Sequence, residues 1–175
     1  MKNLPNQFFY SKEEDRLNVI SHGIGFILSI IGLIFLLNKG LQDFNLLRFL
    51  SFLIYGISLS TMYIASTLYH NSKTPEGRYK FRLFDMVSIY LLIAGSYTPF
   101  TLTVLIDSGG LTLFLLVWVI AFIGIIWKIF TVGSYNISST LLYIFMGGLW
   151  LFFIDAFINE IPQNALMWIY ASAST

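Results

Sequence analysis

Cysteine is absent, which excludes disulfides, thiolate metal sites and a cysteine nucleophile. Histidine is scarce, with only His22 and His70, so a metal site would have to be built from His, carboxylate and water. Charge is scarce too: 11% of residues are Asp, Glu, Lys or Arg, against about a quarter in an average soluble domain. The net charge is +1 and no basic stretch is long enough to track a phosphate backbone, which sets nucleic-acid binding aside. What fills the chain instead is hydrophobic residues, 57% of 175. A surface for so much apolar material must face lipid, and the length corresponds to one domain.

Crossing about 30 Å of hydrocarbon takes about 20 apolar residues in a helix. Five runs reach that size, at about 19–37, 46–69, 84–106, 110–128 and 140–158, with residues 1–18 as an N-terminal segment. They are separated by breaks carrying Lys39 and Asp43, Lys73 to Arg82, Asp107 to Gly110, and Lys128 to Asn136. Backbone in hydrocarbon must satisfy its own hydrogen bonds, and the runs lack the alternation of a membrane barrel. The fold class is therefore all-α, a multi-span helical membrane protein. A partial sixth run from about 164 ends after about eleven residues, too short to cross: either this end lies at the interface or re-enters, or, the reading favoured, the sequence is the front part of a longer bundle.

Lys2, Lys12 and Arg16 ahead of the first run imitate a secretory signal, but Glu13, Glu14 and Asp15 intervene and Asn38-Lys39-Gly40 is no cleavage site. The run is a retained span. Eight basic residues (Lys2, Lys12, Arg16, Lys73, Arg78, Lys80, Arg82 and Lys128) fall on one side, and Lys39 and Arg48 on the other. This bias predicts a cytoplasmic N-terminus in a multi-pass protein of the cell membrane.

Polar residues at membrane depth gather on the basic side. Asn18, Ser21 and His22 open the first run, Ser66 and His70 close the second, and Asp85 opens the third. Ser66 and His70, four apart, share a helical face, and the loop 71–83 returns Asp85 to the same end of the bundle. Ionisable groups at such depth are costly and commonly functional. Each also has a plain structural reading: Asp85 as a helix N-terminal carboxylate or a partner of Arg82, His70 as a polar helix end, Asn18 and His22 as a polar helix start. Nothing in the sequence fixes the separation of His22 and His70. Pro99 should kink the third span, with Ser96 or Thr98 partly satisfying the freed groups, and Gly147-Gly148 should let helices approach closely. Asp155 is expected at the interface.

Three segments, EDRLNVISHGIG (14–25), STLYH (66–70) and RLFDMVSIYLLIAGSYTPF (82–100), resemble the haemolysin III family, which belongs with the progestin and adipoQ receptor proteins. The resemblance runs from about residue 13 to the end. It implies a seven-helix membrane protein, of which this sequence is the front part, with zinc near the cytoplasmic face. His70 then corresponds to the family's zinc-ligating histidine, Ser66 to the motif serine, and Asp85 to the aspartate holding a metal-bound water. The other two family ligands form an HxxxH pair on the seventh helix, which this sequence does not contain. Met86 stands where bacterial relatives commonly carry His.

The family thus implies a zinc-dependent hydrolase acting on an amide or ester bond in a membrane lipid, or a lipid sensor, with catalytic residues Ser66 and Asp85 and metal ligand His70. A pore-forming cytolysin is the alternative that the family name suggests, but uniformly apolar spans fit insertion during synthesis rather than a soluble lytic precursor. An inactive fragment is the third reading, because the zinc set is incomplete.

Overall fold

The computed structural model describes residues 10–42, 44–131 and 137–160, and these contain helices and no strand. Helix α1 (Lys12–Leu41) starts at Ser11, whose hydroxyl accepts from the Glu14 amide while the Glu14 carboxylate accepts from the Ser11 amide, a closed capping box. Helix α2 (Leu46–Asn71) starts at the Asn45 cap, and α3 (Pro75–Pro99) at the Thr74 cap with proline in its first turn. Helix α4 spans Leu111–Thr131 and α5 Ile137–Gly148. The chain then tightens into a 3-10 stretch, Leu149–Phe153, before the short α6 (Ile154–Glu160). Among the described residues, five helical stretches are long and apolar enough to cross a membrane. The sixth apolar run lies outside the described residues.

The helices overrun the apolar runs at their polar ends. Three residues, Ser72 to Thr74, separate α2 from α3 where the sequence suggested a loop of 71–83. Lys128, placed by sequence in a connecting segment, belongs to α4, where it is 1% exposed with Nζ 3.3 Å from the Ser139 hydroxyl. Burial against α5 rather than extension into solvent follows from the helix continuing one more turn.

Proline 99 ends the regular part of α3, as its missing N–H dictates, and the backbone relaxes into wide π-type turns over 100–110. Ser96 donates to the Ile93 carbonyl and Thr98 to that of Ala94, so neither hydroxyl serves the Gly95 carbonyl that the proline deprives. The chain reverses at Gly109, whose φ of 88° is open to glycine and strained for other residues. Gly147-Gly148 likewise departs from expectation: a Cβ at Gly147 would meet nothing within 4 Å. The pair marks the break in α5 instead, where the Tyr97 hydroxyl lies 2.9 Å from both the Met146 and Gly147 carbonyls and accepts from the Trp150 amide.

The apolar core lies between α3, α4 and α5, around Tyr90, Ala94, Leu113, Val117, Ala121 and Met146. Gly124 permits its closest approach, since a Cβ there would collide with the Tyr90 ring. By contrast α1 buries only Ser29 and Gly40 and packs mainly on α2, where Ser29 donates to the Ser60 hydroxyl at 2.9 Å. Its other faces present Leu28, Ile34 and Phe35 outward, as a lipid-facing helix should.

Candidate functional site

The lower halves of α1, α2 and α3 meet at the basic end of the bundle. On α1, Asp15, Asn18 and His22 follow an i, i+3, i+7 spacing that sets all three on the face packed against α2. His70 occupies the last turn of α2, with Ser66 one turn above it.

An ion network organises this junction. The Nδ1 atom of His70 is 2.9 Å from Oδ1 of Asp15. A carboxylate can only accept, so this contact requires the proton on Nδ1, and in the neutral ring Nε2 is then the lone-pair donor. The Asn18 amide nitrogen, 3.4 Å from the same Nδ1, is then a packing neighbour rather than a donor. Asp15 is held in turn by Arg78, one of whose terminal nitrogens donates to both carboxylate oxygens at 2.7 and 2.8 Å. The other terminal nitrogen of Arg78 donates to the carbonyls of Tyr69, His70 and Ser72 at 3.0, 3.1 and 3.4 Å, capping the end of α2. The guanidinium also covers the Tyr69 ring, 4.7 Å from its centroid, and is 1% exposed.

His22 joins from the side. Its ring lies parallel to that of His70, with 5° between planes and centroids 6.1 Å apart. The separation that sequence left open is therefore short. Ser66 is buried against Asp85, and His70, His22 and Arg82 are near enough to Asp85 to interact with its charge. All five sequence-expected site residues thus converge on one junction.

Two structural readings from sequence are corrected. Asp85 does not open its helix: α3 begins at Pro75, so the carboxylate sits nearly three turns in, beyond the reach of a helix N-terminus. Asn18 and His22 do not open α1 either, because Ser11 caps it. Sequence reasoning also missed Asp15 and Arg78. Asp15 carried a signal, its register with Asn18 and His22. Arg78 carried none, being one of four similar basic residues between 73 and 82.

As a metal centre the junction is incomplete. His70 suits a zinc donor, because ligating histidines usually give their second N–H to a carboxylate. Among the described residues, however, no group of three or more His, Cys, Asp or Glu is placed to hold a metal ion.

The Haemolysin-III related family matches residues 10–175. Hemolysin-3 of Bacillus cereus is 43% identical over 137 residues, covering 78% of this chain and 63% of that protein. The Hemolysin-3 homolog of Bacillus subtilis (strain 168) is 39% identical over 145 residues, 83% of this chain and 67% of the relative. The chain thus spans about two thirds of the length of these curated relatives. No solved structure matches. On the strength of the family match across nearly its whole length, this chain belongs to the haemolysin III family.

Proposed function

We propose that this multi-pass membrane protein places its N-terminus in the cytoplasm and carries, at its basic end, a remnant of a zinc site suited to lipid amide or ester hydrolysis or lipid sensing. The observation that supports this most is the Asp15-held His70, whose Nε2 is freed for a ligand while Arg78 locks the carboxylate behind it. His70 would be one zinc donor, the remainder coming from outside the described residues. Zinc bound there would supply a Lewis acid. In this reading Asp85, beside Ser66, would accept a proton from water, and Ser66 would orient that carboxylate.

The test is a chimera in which this chain is extended by the last helix of a relative bearing HxxxH. Elemental analysis after dialysis should find about one zinc per chimera, lost in His70→Ala, with affinity about 10- to 100-fold weaker in Asp15→Asn. A folded chimera without zinc, or zinc indifferent to His70→Ala, overturns the reading.

A further inference from the structure

The His70 junction opens outward into a cleft of about 850 Å³ between the start of α1 and the α2–α3 turn. Its walls are of two kinds. Lys12, Arg16 and Lys73 stand at the polar end, and Val19 and Ile20 form the apolar flank where the first apolar run begins. Lys12 and Arg16, four apart, share a helix face, and Lys73 reaches the same cleft from the turn after α2.

Among the described residues none of these three cations is in an ion pair. Of the other charges nearby, Lys80 pairs with Glu76 and both oxygens of Asp15 with Arg78, while Glu13 and Glu14, the latter in the Ser11 cap, keep their charge on the same turn without pairing any of the three cations. The cleft is therefore lined by three cations that no described carboxylate pairs, above an apolar wall. With a rise of 1.5 Å per residue, Arg16 lies about 5 Å and Lys12 about 10 Å below Val19. The polar headgroup layer is about 5–8 Å deep on each side of the hydrocarbon, so Arg16 lies within it and Lys12 at its outer edge.

We infer that this cleft binds an anionic phospholipid, its headgroup phosphate among Lys12, Arg16 and Lys73 and an acyl chain along Val19 and Ile20. The inference stands apart from the zinc reading, since neither the binding nor its test involves metal or hydrolysis.

The experiment uses the purified chain in phosphatidylcholine vesicles containing trace spin-labelled phosphatidylglycerol or spin-labelled phosphatidylcholine. The chain should immobilise the anionic probe in preference to the zwitterionic one. At about 1 kcal/mol per basic residue, the double variant Arg16→Gln/Lys73→Gln should weaken that preference about 30-fold. The charge-matched variant Lys39→Gln/Lys80→Gln should keep it. Circular dichroism checks that each variant remains helical, and Lys12→Gln gives an independent, smaller loss if the double variant misfolds. No preference in the parent chain, or equal loss in both double variants, overturns the site in favour of plain surface charge. Displacement of the probe by inorganic phosphate at constant ionic strength would instead make the occupant a free anion, and would overturn the lipid assignment.

Discussion

Replacing Arg78 by Ala removes a side chain of α3 that ties α1 and α2 together. Its 1% exposure means that no water stands ready to replace it. Deleting one partner of a buried ion pair costs about 3–5 kcal/mol. Here the Asp15 side chain keeps 22% exposure and can recover some hydration, which lowers that part to about 2 kcal/mol. The carbonyls of Tyr69, His70 and Ser72 lose a charged donor at the same time, worth about 1–2 kcal/mol more at the end of α2. The expected loss is about 3–4 kcal/mol. Arg78→Lys should recover only part of it, because a point ammonium cannot serve the carboxylate and the carbonyls in two directions. Unfolding of the detergent-solubilised chain by sodium dodecyl sulfate, followed by circular dichroism, measures this. A double-mutant cycle with Asp15→Asn isolates the pair, with an expected coupling of about 1.5 kcal/mol or more. A loss below about 1 kcal/mol for Arg78→Ala, or additivity within about 0.5 kcal/mol, would refute the network as the lock of this junction.

Reporters fused before Met1 or inserted after Lys73 should both read cytoplasmic, since eight of ten basic residues lie on that side; an external signal at both places reverses the orientation. Gly124→Val should destabilise by about 1–3 kcal/mol through collision with Tyr90, whereas Gly147→Ala should cost less than about 0.5 kcal/mol; comparable thermal shifts for the two would contradict the packing described. Purified protein added to red cells should release no more haemoglobin than its detergent alone, because its helices are apolar rather than amphipathic; dose-dependent release lost on denaturation would favour the cytolysin reading.

The membrane-crossing architecture was legible because hydropathy is a bulk property: five long apolar runs leave few alternatives in lipid. Helix ends were less so, for a physical reason. Residues 12–18 and 75–83 are helical outside the apolar runs, where hydropathy is silent and only capping chemistry speaks. The signals existed in Ser11 with Glu14 and in Thr74-Pro75, and reading them would have moved Asp85 inside its helix. The gathering of Ser66, His70 and Asp85 followed from spacing and a short connection. The choice of Arg78 over Lys73, Lys80 or Arg82 did not, because it depends on how α3 is rotated against α2, and a patterned run of basic residues does not encode that angle.

The network joining Asp15, His70 and Arg78 draws on the first 78 residues alone. During synthesis it can close as soon as the start of α3 has left the ribosome, before α4 or α5 exists. Asp15 and Arg78 flank the α1–α2 hairpin on one side of the bilayer, so the hairpin can enter the membrane without carrying either charge across. Nothing in the Asp15–His70–Arg78 network therefore has to wait for the later helices, which can dock onto an N-terminal unit whose polar end is already in place.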